Sequence, residues 1–221
     1  MPQSPARHEL ARLIEHTLRK ADATRADIEQ LCAEARAHGF ASVCVNGSRV
    51  AQAVHVLEET DVKITCAVAF PFGASDADVK RYETETAIDS GAHFIELTPN
   101  FGRLKDGDDA SVLRELRDVV EAADERPVSV CLDIGLLTAE EIRRISRHAV
   151  DAAMKGITIT GGQDLASVMQ AVKLVCEDSG KEFGVKVDQP SFKLSEVIAL
   201  LDAGAARFGV AQSVNLIAGL W

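Results

Sequence analysis

What the sequence lacks already narrows what the protein can be. No apolar stretch approaches the roughly 20 residues needed to cross a bilayer, and the opening segment Met1-Pro-Gln-Ser-Pro-Ala-Arg-His8 has no hydrophobic core of the signal-peptide type. A cytoplasmic protein with no membrane partner is therefore expected. Positive charge is also short, with 24 Lys and Arg against 34 Asp and Glu and a net charge of −10. Binding to nucleic acid needs clustered cations facing phosphates, so that class of partner is disfavoured, whereas a small anionic ligand is not. Cys32, Cys44, Cys66, Cys131 and Cys176 are an odd number without close pairing. That disfavours a disulfide framework or a zinc cluster and predicts buried thiols. No Gly-x-Gly-x-x-Gly follows the first strand-like run, so dinucleotide binding of the Rossmann kind has no support.

What is present is a regular alternation of short β-branched runs with amphipathic segments, over 221 residues of which 47% are hydrophobic and 26% charged. This composition suits one globular domain, and the alternation predicts a parallel α/β fold. Strands are expected at 14–18, 41–45, 64–70, 94–98, 128–133, 156–160, 184–188 and 207–210, the first carrying the weakest signal. Helix ends are legible between them. Thr24 precedes apolar residues at helical spacing and Gly39 can close that helix in the left-handed conformation. Thr138-Ala-Glu-Glu141 reads as a capping box, while Ser75 with Gly91 and Ser195 with Gly204 bracket two further helices. Eight such units closing on themselves give a single-domain (β/α)8 TIM barrel over 1–221, with 1–12 as an N-terminal extension or helix. An open doubly wound sheet has the same local grammar; the barrel is preferred.

Lys186 lies inside the apolar run Phe183-Gly-Val-Lys-Val187. An ammonium buried there must find a partner or lose its proton, which makes Lys186 either a candidate amine nucleophile or half of a structural ion pair. A barrel places chemistry at the C-terminal ends of its strands. The residues to weigh there are Glu15 and Thr17, Cys44 and Asn46, Glu96, Asp133, Thr158 and Thr160, Asp188, and Gln212 and Ser213. Glu96 can ionise against the lysine and Glu15 can hold or relay a proton, although Glu15 could equally meet an exposed arginine. His16 is read as an anchor of the chain and Cys44 as a packed thiol that could still touch a ligand.

The segments Leu13-Ile-Glu-His-Thr-Leu18, Gly39-Phe-Ala-Ser-Val-Cys-Val-Asn46, Ala69-Phe-Pro-Phe-Gly-Ala74, Leu136-Leu-Thr-Ala-Glu-Glu-Ile142, Gly184-Val-Lys-Val187 and Asp202-Ala-Gly-Ala-Ala-Arg-Phe-Gly209 occur in that order. Together they resemble the deoxyribose-phosphate aldolase family. The resemblance implies a barrel of class I aldolase ancestry, a small carbonyl substrate, imine formation on a lysine and neither metal nor other cofactor. It is also compatible with homo-oligomerisation. An ungapped alignment puts Thr158 where the family has its imine-forming lysine, and Lys186 matches the family's second active-site lysine. Sliding the register by three residues offers Lys155, which precedes the strand and is expected at its non-catalytic end. Glu15 and Glu96 stand where the family has aspartates. Thr160-Gly-Gly-Gln163 looks shortened and Gln189-Pro190 replaces paired glycines. Because proline removes a backbone donor, phosphate recognition is expected to be weakened or lost, making deoxyribose 5-phosphate a poor choice of substrate.

Three readings follow. Lys186, with its pKa lowered by burial, forms the imine while Glu96 moves protons. Alternatively, Lys186 stays charged and stabilises an enolate in a lyase, isomerase or cyclase that uses Glu96 or Glu15 as base. In the third, the barrel is non-catalytic. The first is preferred on sequence.

Overall fold

The computed structural model of the protein describes residues 7–180 and 183–219. Within these residues eight parallel strands close into a barrel in sequence order. They are β1 (Ile14–Leu18), β2 (Ser42–Asn46), β3 (Lys63–Val68), β4 (Phe94–Leu97), β5 (Val128–Asp133), β6 (Gly156–Thr160), β7 (Gly184–Gln189) and β8 (Arg207–Val210). The last strand pairs with the first, Glu15 lying opposite Gly209, and this register closes the cylinder. The helices are α1 (Arg7–Ala11), α2 (Arg25–His38), α3 (Val50–Val56), α4 (Ala77–Asp89), α5 (Phe101–Lys105), α6 (Asp109–Ala122), α7 (Ala139–Asp151), α8 (Leu165–Ser179), α9 (Leu194–Ala203) and α10 (Ser213–Ala218). Among the described residues, no helix is long and apolar enough to cross a membrane. Residues 1–6, half of the expected N-terminal extension, and the terminal Leu220 and Trp221 lie outside the described residues.

The strand period of two sorts the side chains. Val43, Val45, Ile95, Leu97, Val130, Leu132, Ile157, Ile159, Val185 and Val187 form one buried apolar layer with the helices. The alternate positions Glu15, Cys44, Thr65, Glu96, Cys131, Thr158, Lys186 and Asp188 turn inward. Barrel interiors are usually filled by bulky branched residues; this one is filled by polar and small ones. That substitution is what allows charged groups to meet on the axis.

Most element ends match the sequence signals. Thr24 and Asp27 form a capping box, Gly39 closes α2 at φ +68°, and Thr138 with Glu141 caps α7. The weak first strand is fully formed. Several boundaries differ: β2 lies one residue later than expected at both ends, β3 starts one residue earlier, β4 ends one residue earlier and β7 ends one residue later. Asp76 rather than Ser75 caps α4, its carboxylate accepting the Asp78 N–H at 3.0 Å, and α9 begins before Ser195. β3 stops at Val68 because Ala69 turns to φ +56° and its N–H is satisfied by Glu83 Oε2 at 2.9 Å instead of a sheet partner.

Candidate active site

Inside the barrel, charges of alternating sign run along the axis. Lys186 Nζ on β7 touches both Glu15 Oε1 of β1 and Glu96 Oε2 of β4. The other oxygen of Glu96 accepts from Arg19 Nη1 at 2.8 Å, and Arg19 Nη2 donates to Asp188 Oδ2 at 2.7 Å. Arg19 follows β1 and lays its guanidinium over the Phe70 ring, 4.2 Å from the centroid. Hydroxyls complete the carboxylates' coordination. Thr158 Oγ donates to Glu96 at 2.7 Å, Ser42 Oγ donates to Glu15 at 2.8 Å, and Thr65 donates to the same Glu15 oxygen. Arg207 on β8 donates to Ser42 at 3.0 Å. Glu15, Glu96, Lys186 and Asp188 are all buried, so each depends on these partners in place of water.

Burial alone would take the proton off Lys186, but the carboxylates of Glu15 and Glu96 outweigh it and its pKa is raised. The expected lowered pKa is thus overturned. A single amine facing two anions at contact distance is an ammonium, and an ammonium has no lone pair for attack. Burial likewise pushes the Glu15 carboxyl up, yet Lys186 and Arg207 bring it down to about 2. Glu96 is lowered on balance, with Lys186 and Arg19 overcoming its burial. Asp188 goes the other way. Burial dominates over Arg19 and Lys186, and its pKa is raised to about 6.

The alternative pairing of Glu15 with an exposed arginine is not found, since its partner is the buried lysine. His16 anchors the chain, bonding Val210 O at 3.2 Å and Glu34 at 2.8 Å and packing edge-on to Phe40. Cys44 is fully buried, with its thiol pKa pushed up by that burial, and sits in register with the buried Thr17. Asn46 donates to the Arg19 carbonyl at 3.2 Å and so holds that turn. Other expected site residues stay out of the network. Asp133 caps its own loop by accepting the Gly135 N–H at 2.9 Å, and Thr160 lies beside it in register. Ser213 Oγ is turned back onto Val210 O at 2.8 Å, and Gln212 is exposed. Lys155 hydrogen-bonds Val128 O through its backbone at the N-terminal end of β6, as expected, and so lies at the end of the barrel opposite the C-terminal strand ends. Arg19 was not legible as a site residue. Its only sequence signal is a charge directly after the C-terminal end of a strand, which is usually a solvated loop position.

The model of the DeoC/LacD family aldolases matches residues 12–190 of the chain. A deoxyribose-phosphate aldolase of Geobacillus sp. (strain WCH70) is 40% identical over 212 residues, covering 95% of this chain and 95% of that protein. Another, from Alkaliphilus oremlandii (strain OhILAs), is 39% identical over 210 residues, 94% of this chain and 95% of the other. Among solved structures, the tetrameric deoxyribose phosphate aldolase from Aeropyrum pernix superposes with a TM-score of 0.87 at 22% identity, over 97% of this chain and 92% of that one, a likeness of fold.

Proposed function

The chain belongs to the DeoC/LacD family of aldolases, and on that premise we propose that it is a carbon–carbon lyase acting on a small β-hydroxy carbonyl compound without forming an imine. The observation that carries this reading is the contact of Lys186 with both Glu15 and Glu96, which keeps the amine protonated. Thr158 adds to it, because a hydroxyl donor to Glu96 stands on the strand where the resemblance expects the imine-forming lysine.

In the cleavage direction the substrate sits at the C-terminal mouth, above Arg19. Asp188, whose pKa of about 6 is the nearest to neutrality in the network, takes the proton of the β-hydroxyl. The bond between the α and β carbons breaks, its electron pair passing to the carbonyl oxygen as an enolate and the β carbon leaving as an aldehyde. Arg19, with Lys186 beneath it, stabilises the developing negative charge. Asp188 then returns the proton to the enolate carbon, so the protein ends in its starting state.

We place the substrate among small hydroxy aldehydes and ketones with little dependence on phosphate. The N-terminus of α8, a natural anion site, is already satisfied by the Asp164 carboxylate, which accepts the Ser167 N–H at 2.7 Å, and Pro190 has no N–H to offer. Retro-aldol assays on a panel of β-hydroxy carbonyl compounds, with and without phosphate, test the reading when combined with borohydride reduction and peptide mapping. Turnover without an adduct is expected, Lys186→Arg retaining activity within about a hundredfold and Lys186→Met losing it. A reduced adduct on Lys186 would restore the imine mechanism. No turnover across the panel would leave the non-catalytic reading.

A further inference from the structure

The N-terminal end of the barrel, opposite the catalytic face, is open. A cavity of about 160 Å³ runs inward from there to Glu15, Thr158 and Lys186. Its origin lies in the strand starts, where Ser129, Gly156 and Gly184 are neighbours in register at positions that would otherwise plug the floor. A Cβ on Gly156 would come within 2.5 Å of the Gly184 carbonyl oxygen, so the backbone itself forbids a plug at that position. The walls are apolar, including Phe94, Pro127 and Val185, while Lys155 and Arg207 bring positive charge. Arg207 lies over the Phe94 ring at 5.7 Å. Lys155 is exposed and has no acidic partner among the described residues. Among the described residues, the one carboxylate lining the cavity, Glu15, is already engaged by Lys186, Ser42 and Thr65.

We propose that this end of the barrel is a second ligand site, taking a small monocarboxylate with an apolar body of about one ring. The volume matches the occupant, since an apolar cavity of about 150 Å³ takes a benzene ring. The polarity matches as well, because a carboxylate on such a body reaches Arg207 and Lys155 while its apolar part lies against Phe94 and Pro127. Arg207 supplies planar, paired donors suited to a carboxylate. The site opens at the end of the barrel opposite the mouth, and its inner end reaches Glu15, Thr158 and Lys186 of the charged network.

Calorimetric titration of the full chain with benzoate, benzamide and inorganic phosphate tests the assignment. Benzoate is expected to bind with a Kd of about 1 mM or tighter, and benzamide and phosphate about tenfold more weakly. Ser129→Leu, which fills the floor, should abolish benzoate binding, and Lys155→Gln should weaken it about threefold or more. Should Ser129→Leu fail to fold by circular dichroism, Arg207→Gln and the amide shifts of Gly156 and Gly184 during titration decide instead. Benzoate that does not bind by about 20 mM, binds a folded Ser129→Leu protein as well as the parent, or leaves those amides unmoved would overturn the site. Phosphate binding as tightly as benzoate would overturn the ligand class.

Discussion

Lys186 keeps its proton because two carboxylates converge on one ammonium where water is scarce. Removing one member of such a set leaves buried charge uncompensated, which is costlier than the set's net contribution to stability. Lys186→Met should therefore destabilise the protein by about 3 kcal/mol at pH 7 in urea unfolding. The loss should shrink in acid, where protonation relieves Glu15 and Glu96. The two titrating carboxylates pull stability in opposite directions. Glu15 is held at about 2 against an ordinary 4.5, so its contribution is complete above about pH 4.5 and disappears as pH falls toward 2. Asp188 is raised from 3.8 to about 6, so the folded state binds its proton more tightly than the unfolded chain does. Its effect favours folding below about pH 4 and declines as pH rises to about 6. Urea midpoints at intervals from pH 4 to 7 should show that decline in the parent protein and lose it in Asp188→Asn.

At the scale of elements, α4 and α6 are locked together by a pair that touches no solvent, Lys80 Nζ lying 2.9 Å from Glu115 Oε2. The second oxygen of Glu115 accepts the Asn100 N–H at 3.0 Å, so this helix pair also holds the start of α5 above the end of β4. Lys80→Met should cost about 3 kcal/mol and speed hydrogen exchange at Asn100, measured by mass spectrometry. A helix end costs less. Thr138→Ala removes one hydroxyl acceptor from the first turn of α7 and should lower stability by about 1 kcal/mol in the same urea assay, with no change in exchange at Asn100. The contrast separates elements held by local signals, as α7 is by its capping box, from those positioned by a partner far along the chain.

For the molecule as a whole, closure is the decisive step, because the polar interior is tolerable only when every wall is present. β8 pairs with both β7 and β1 and brings Arg207 toward the Glu15 side of the network. A chain ending at Ala206 would expose two strand edges and admit water to the charged interior. It should lose the cooperative urea transition followed by near-ultraviolet circular dichroism, while keeping much of its far-ultraviolet helix signal.

The sequence by itself determined the eight strands, several helix caps and the family, because these rest on short-range periodicity, turn chemistry and motifs a few residues long. It also made Lys186 conspicuous, since a charge in an apolar run stands out locally. Which way that lysine's proton equilibrium tips was decided only by the tertiary structure. Its partners come from β1 and β4, 171 and 90 positions away in sequence, and burial alone favours the opposite answer. The same holds for Arg19, ordinary as a loop charge until the closed barrel brings it between Glu96 and Asp188. Electrostatic energy depends on distance through space, and chain order does not encode that distance.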